Sequence, residues 1–185
     1  MKTSAVKGTG WTVTIGGFRG VSIEDVDGFL DRLGEAVSPA VFQVFDASKV
    51  AGWGHLYYSV VNAVEAHRAG TAISRSLEIE VLLYASCQDQ ISQALDLMGV
   101  RPETEEVALV VLSEDNSGAE EAFKRGARIL GEGDDSALEV TGDKLERLLG
   151  VFGISARALG AVGGPREEAL TKLLIERGAL LPLRH

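Results

Sequence analysis

The stretch that most restricts the fold of this chain is the apolar run V-A-L-V-V-L at positions 107–112. An uninterrupted, Val-rich run of this length is typical of a buried strand. A buried strand needs a core around it. With 185 residues, of which 45% are hydrophobic, the chain can bury a sizeable core, and we expect one domain over residues 1–185.

Other strands and helices follow from periodicity. W-T-V-T-I at 11–15 alternates polar and apolar residues, with Gly16-Gly17 after it as punctuation, and V-F-Q-V-F at 41–45 predicts a second strand. A short strand is expected at 137–140. Apolar residues at helical spacing predict helices at about 22–37, 56–70, 90–98, 118–130, 143–152 and 166–177.

The segment from Leu77 to Ala85 fits both a strand and a helix, because its apolar residues match both periods. Ser74 and Ser76 are suitable helix N-caps. Glu78 and Glu80 would then lie in the first turn, where the helix dipole favours negative charge. We therefore interpret this segment as a helix.

The net charge of the chain limits the kinds of ligand that it can bind. The formal net charge of −9 argues against a general nucleic-acid binder, because affinity for phosphates depends largely on Lys and Arg. Residues 49–101, however, carry four basic and five acidic side chains and are close to neutral. A local site for a polyanion is compatible with this middle region.

Catalytic motifs are missing from the sequence. There is no Walker phosphate loop or nucleophile elbow, and the histidines at 55, 67 and 185 lack metal-ligand spacing. We expect no metal, no cofactor and no catalysis. A single cysteine and the lack of an export signal or a long apolar span predict a cytoplasmic protein without membrane contact.

The middle of the chain resembles a known family. The specific residues are Ser74-Arg75-Ser76-Leu77, Glu80, Gln90-Ile91-Ser92 and Ala94, with Gly99 at the helix end. They are similar to the kinase-binding subunit of the KEOPS complex, with an archaeal member expected. The likeness continues in pattern to the closing E-E-A-L-T-K-L-L-I-E-R-G-A-L-L-P-L.

This resemblance implies an α/β fold: a single domain with a small mixed β-sheet flanked by helices on both sides. It also implies a non-catalytic subunit that binds and stimulates the small atypical, RIO-like kinase of KEOPS and contacts the other KEOPS subunits indirectly. Such subunits help recruit tRNA through its 3′ CCA end. The complex attaches a threonylcarbamoyl group to an adenosine beside the anticodon.

A single-stranded RNA end is bound by stacking and base-edge hydrogen bonds more than by bulk charge. Arg75 is the candidate for a phosphate, and tyrosines at 57, 58 and 84 are candidates for stacking. The alternatives are that Arg75 pairs with Glu78 or Glu80 and that the tyrosines are core residues. Asp89 stands where many relatives have a basic residue, so a kinase role without RNA binding is also open. The candidate RNA-binding residues are Lys49, His55, Ser74, Arg75, Tyr84, Gln88, Gln90 and Ser92.

The C-terminal segment is the candidate kinase surface, because the resemblance places kinase contacts there and the segment is unusually apolar. The alternative is that its leucines fold back as core. An interaction surface predicts loss of the kinase complex when Leu180 or Leu181 becomes Glu. The candidate residues are Leu173, Arg177, Leu180, Leu181, Pro182 and Leu183.

A second hypothesis is a small ligand- or nucleotide-binding α/β enzyme or regulator. Its anion site would be the Gly16–Gly20 turn, which resembles a Gly-rich loop only loosely. This hypothesis predicts nucleotide binding by the isolated chain, whereas an interaction subunit predicts none.

Overall fold

The computed structural model describes residues 1–115 and 117–184. The domain predicted over 1–185 includes Asn116 and His185, which lie outside the described residues, and that extent stays a prediction. The strands are β1 (Lys2–Ala5), β2 (Thr12–Arg19), β3 (Val41–Asp46) and β4 (Glu106–Ser113). The helices are α1 (Val26–Val37), α2 (Trp53–Ala69), α3 (Leu77–Ser86), α4 (Ile91–Met98), α5 (Gly118–Leu130), α6 (Gly142–Val151), α7 (Ala156–Val162) and α8 (Arg166–Ala179), with short 3₁₀ segments at Ala47–Lys49, Asp135–Leu138 and Leu181–Arg184.

The strands form one sheet in the order β1-β2-β4-β3. The α/β class and the small sheet are confirmed, but the sheet is not mixed: all three pairings between the described strands are antiparallel. The reason is the position of β4. Strands β2 and β3, joined through α1, run parallel to each other, and β4 inserts between them in the opposite direction.

The buried strand β4 divides the core into two layers. Ala108, Val110 and Leu112 pack with α2, α3 and α8, whereas Val107, Leu109 and Val111 pack with α1 and α5. Each of these six side chains has an exposed fraction of 0%. This alternation confirms both the predicted buried strand and the helices on both sides of the sheet.

Most predicted helices are present, including α3, where periodicity was ambiguous. The strand predicted at 137–140 is wrong. In its place lies the 3₁₀ segment, where the Asp134 side chain accepts a hydrogen bond from the Ser136 N–H (3.0 Å). Ala137 and Leu138 point into the core as this segment crosses the sheet. An Asx-type turn overrides the apolar character of the segment.

The glycine turn expected at 16–20 is also wrong. Gly16 and Gly17 lie inside β2 and pair with Leu109 and Ala108 of β4. On the other edge of β2, Gly17 accepts a hydrogen bond from the Asp134 N–H (2.8 Å). These backbone groups are occupied by the sheet and the neighbouring segment, which removes the proposed anion site of a nucleotide-binding enzyme.

Replacing Gly17 with Ala is expected to lower the free energy of unfolding by about 1–3 kcal/mol, because overpacking a filled site forces backbone shifts. A Cβ at position 17 would lie 2.8 Å from the Asp134 carbonyl oxygen and 3.2 Å from the Cβ of Ala137. Gly150 on α6 is the matched control. A Cβ there meets nothing within 4 Å, so Gly150→Ala should stabilise slightly. Urea unfolding of both variants checks this, and wild-type stability of Gly17→Ala would contradict it.

Candidate functional site

An open groove of about 470 Å³ lies where the N-terminus of α3 meets the C-terminal half of α2. We call it the Arg75 groove. The loop before α3 contributes Arg75, α2 contributes basic side chains, and the strand region of the sheet contributes apolar ones. Its lining residues are Trp11, Val41, Val64, His67, Arg68, Arg75, Ser76, Leu77 and Glu78.

Arg75 is the free cation of this groove. Its side chain is exposed and forms no hydrogen bond or ion pair within the part of the chain that the structure describes. The alternative in which Arg75 pairs with Glu78 or Glu80 is therefore not observed. Arg68, by contrast, donates hydrogen bonds to the Gly8 carbonyl (2.9 Å) and to Glu65 (3.1 Å). Arg75 alone keeps its donors available for a ligand.

Glu80 holds the loop that carries Arg75. Its side chain is fully buried, and its two carboxylate oxygens accept hydrogen bonds from the N–H groups of Ile73 (3.1 Å) and Ser74 (2.7 Å). The Ser74 hydroxyl oxygen accepts another from the Ser76 N–H (3.2 Å). These bonds satisfy the N–H groups of Ile73, Ser74 and Ser76 at the helix start.

Two residues of the groove were missed by sequence reasoning as site residues. Trp11, directly before β2, lines the groove with its large aromatic ring, and no tyrosine lines it. His67 has a buried Nε2 without a hydrogen-bond partner among the described residues. Both had been interpreted only as members of a strand and a helix face. A Trp, a His and an Arg are residue types that often form binding sites, and this was the signal in the sequence. Only the fold shows that these three residues lie close together.

Most of the other predicted RNA-binding residues lie away from the groove. Gln88, Gln90 and Ser92 lie beyond the C-terminal end of α3, and a helix of ten residues is about 15 Å long. Lys49 is half-buried in the 3₁₀ segment after β3. None of these four lines the groove, and their contact with RNA stays a prediction.

Two predicted RNA-binding residues, His55 and Tyr84, are core residues, with exposed fractions of 1% and 3%. His55 Nδ1 accepts a hydrogen bond from the Ala51 N–H (3.1 Å), so Nε2 carries the proton and donates to the Ala85 carbonyl (2.9 Å). Burial lowers the pKa of His55 to about 4. Burial also raises the pKa of Tyr84, and the charge of Glu80 adds to the shift. Neither side chain offers a free face to a base.

The aromatic side chains near the start of α2 form a separate cluster. Trp53 stacks on Tyr57 with ring centroids 4.7 Å apart, and Lys2 lies over the Trp53 ring at 3.9 Å. The Tyr57 hydroxyl donates to the Ala5 carbonyl (3.0 Å). Tyr58 is 46% exposed. These tyrosines are therefore not part of the Arg75 groove.

The predicted kinase-binding residues divide into exposed and buried ones. Leu180 and Leu183 are 46% and 79% exposed, and Pro182 is also exposed. Leu181 between them has an exposed fraction of 0% and belongs to the core. Its prediction as a surface residue is wrong, because the 3₁₀ turn after α8 directs this one leucine inward.

Two further candidate residues lie on α8 itself. Leu173 is half-buried against the core. Arg177 is half-buried, and its guanidinium donates a hydrogen bond to the Phe152 carbonyl. The exposed apolar part of this region therefore consists of Leu180, Pro182 and Leu183, which we call the C-terminal patch.

Helix α2 lines two depressions with different side chains. Its residues Val64, His67 and Arg68 face the Arg75 groove. Its residues Asn62, Glu65 and Ala69 line a second depression that reaches Ala179 at the end of α8. The Arg75 groove and this second depression, which ends at the residue before the C-terminal patch, therefore lie on different faces of the same helix.

The described residues contain neither a cluster of metal-ligating side chains nor a membrane-spanning helix. Across residues 1–115 and 117–184, no group of three or more His, Cys, Asp or Glu side chains could hold a metal ion. Over the same residues, no helix is long and apolar enough to cross a bilayer. Cys87, the one cysteine, is buried.

Comparison with known proteins identifies the family. A family model described as kinase binding protein CGI-121 matches residues 22–148, which is more than half of the chain. The chain is also 33% identical over 109 residues to the regulatory protein Cgi121 of Methanocaldococcus jannaschii, an alignment that covers 58% of this chain and 66%, just under two thirds, of that relative. The family recognised from residues 74–99 is thus confirmed, and the chain belongs to the CGI-121 family of kinase-binding proteins.

Proposed function

We propose that this chain is a non-catalytic accessory subunit of the KEOPS complex, which makes threonylcarbamoyladenosine in tRNA. In this role it binds and stimulates a small atypical, RIO-like kinase, meets other KEOPS subunits indirectly, and recruits tRNA by its 3′ CCA end. Family membership supports the kinase role. The observation that carries the RNA role is the unpaired Arg75 in a groove with Trp11.

The groove has the chemistry that a single-stranded RNA end requires. Trp11 is half-buried and offers a ring on which a base can stack, and Val41 and Leu77 add apolar surface. Arg75 supplies donors for a phosphate. A binding mode of this kind needs few cations and so suits a chain with a net charge of −9.

The C-terminal patch supports the kinase role. Exposed leucines are common singly, but Leu180 and Leu183 lie three residues apart around a buried leucine and next to an exposed proline. Contiguous apolar surface of this kind favours a protein partner. Because the patch and the Arg75 groove share no residue, we expect that kinase and RNA can occupy the subunit together.

The side chains that most resemble catalytic groups are committed to structure. Both ring nitrogens of His55 are hydrogen-bonded inside the core. Cys87 is buried, and Lys144, 4% exposed, donates to the Ala137 carbonyl (2.8 Å). These observations support an accessory role without turnover. We place the protein in the cytoplasm, where cysteines stay reduced.

Fluorescence anisotropy with labelled tRNA tests the RNA role. Intact tRNA is expected to bind more tightly than tRNA lacking its 3′ CCA, and Arg75→Glu should weaken binding of intact tRNA by about tenfold or more. The loss of one phosphate contact should also reduce the salt slope by about 0.7. Arg128, an exposed arginine on α5 across the sheet, is the matched control, and Arg128→Glu should bind like the wild type. Equal affinity for both tRNAs would leave this chain as a kinase-binding subunit alone.

A further inference from the structure

We infer that the buried carboxylate of Glu80 is a positioning residue that fixes the loop 73–76 so that Arg75 is held in the groove. The inference rests on the proposed RNA function. Glu80 touches no ligand in this scheme. It acts through the two backbone N–H groups, of Ile73 and Ser74, that its oxygens bind.

The geometry is unusual for an acidic side chain in the first turn of a helix. A first-turn glutamate is normally solvated and interacts with the helix dipole, whereas Glu80 has an exposed fraction of 0%. Both of its oxygens are used by consecutive residues of one loop, at 3.1 and 2.7 Å. A buried carboxylate is costly unless its hydrogen bonds are satisfied. The loop supplies those bonds, and the carboxylate fixes the loop in return.

Arg75 depends on this arrangement because nothing else holds it. Its exposed side chain has no partner among the described residues, so its direction is set by its own backbone. That backbone follows directly after Ser74, whose hydroxyl is bonded to the Ser76 N–H. A flexible loop would have to be ordered on binding, at a cost in affinity that a pre-formed loop avoids.

Charge alone predicts the opposite behaviour. Glu80 is a negative group close to a groove that should accept a polyanion, so its removal would strengthen RNA binding if only Coulomb energy mattered. Positioning predicts that Glu80→Gln weakens RNA binding, because the amide replaces one acceptor oxygen with a donor that faces a backbone N–H. The sign of the effect separates the two roles.

A double-mutant cycle with Arg75 is the test, read as anisotropy with intact tRNA. Arg75→Ala should weaken binding by about tenfold in the wild-type background and by about threefold or less in the Glu80→Gln background. If Glu80 only stabilised the fold, the effect of Arg75→Ala would be the same in both. Equal effects therefore overturn the inference and leave the RNA role intact. If Arg75→Ala has no effect in the wild-type background, the RNA role and the inference both fail.

Glu78→Gln is the matched control for charge. Glu78 lies in the same turn and lines the groove, and its side chain has no hydrogen-bond partner among residues 1–115 and 117–184. In the Glu78→Gln background, Arg75→Ala should still weaken tRNA binding by about tenfold, as it does in the wild type. If Glu80→Gln does not fold, Glu80→Asp replaces it in the cycle, since it keeps the charge but shortens the side chain by one methylene and so draws the carboxylate away from the Ile73 and Ser74 N–H groups. A full Arg75 effect in the Glu80→Asp background would then overturn the inference.

Discussion

Replacing Leu180 and Leu183 together with Glu is expected to weaken the complex with the kinase by about thirtyfold or more, while the subunit stays folded. Central apolar anchors of an interface commonly contribute about 2 kcal/mol or more when truncated. Leu180 and Leu183 are 46% and 79% exposed, so a charge at either position stays in water in the free subunit. In the complex, the same charge would be buried without a partner.

Isothermal titration with a purified small atypical kinase checks this result. Leu95→Glu on α4 is the matched control, because Leu95 is 47% exposed and lies outside the C-terminal patch. It should bind the kinase within about twofold of the wild type, as expected for a surface substitution away from the interface. Wild-type affinity of a folded Leu180→Glu, Leu183→Glu variant would exclude the patch as the kinase surface.

Leu181 cannot serve in this experiment, although the sequence places it in the same apolar run. Its side chain is fully buried in the core. A glutamate there would bury an unpaired charge and unfold the protein, and kinase binding would be lost for that reason. The run A-L-L-P-L has no period that distinguishes its leucines. Only the 3₁₀ turn decides which leucine faces inward.

The difference between local sequence patterns and long-range contacts explains which parts of the fold could be predicted. The buried strand β4 and most helices are local patterns of hydrophobicity, and each was found within a few residues of its bounds. The order of the strands is not local. The insertion of β4 between β2 and β3 pairs residues that are more than 60 positions apart in the chain. The hydrophobic pattern of the sequence does not predict this strand order.

The candidate site shows the same limit. Arg75 could be found from sequence because it is a lone cation before a capped helix. Trp11 and His67 could not, because they come from a strand and a helix that meet α3 only in the folded chain. His55 was misassigned for a related reason. A polar residue near a helix start is usually exposed, yet this one bonds to Ala51 and Ala85 inside the core.

The second large effect is a loss of stability in mild acid that depends on His55. Its folded pKa is about 4, whereas its ordinary value is 6.5, and burial is the main cause. The unfolded chain therefore binds more protons than the folded one between these values, and stability falls as the pH falls. The stabilisation is fully present above pH 6.5, and about 3 kcal/mol is expected to be lost by pH 4.

Urea unfolding at several pH values between 7 and 4 measures this loss. His55→Gln should flatten the dependence, because a glutamine amide does not titrate and can both accept from the Ala51 N–H and donate to the Ala85 carbonyl. Gly150→Ala, which changes no titratable group, is the control and should keep the wild-type dependence. The other groups with shifted pKa values change their protonation outside the range from pH 7 to pH 4. The pKa of Lys144 is lowered to about 8 by burial, and hydrogen bonds from Ser136 lower the pKa of Asp134 below its usual value.

Protonation of His55 is also expected to change the geometry of the Arg75 groove. The hydrogen bond from His55 to Ala85 joins α2 to α3, and both helices line the groove. Protonation puts a donor on Nδ1 opposite the Ala51 N–H and opens this contact. RNA binding by the wild type is therefore expected to weaken below about pH 5, and His55→Gln should delay that loss. If the wild type and His55→Gln lose stability and RNA affinity in parallel, the acid sensitivity lies in other groups and His55 only fills the core.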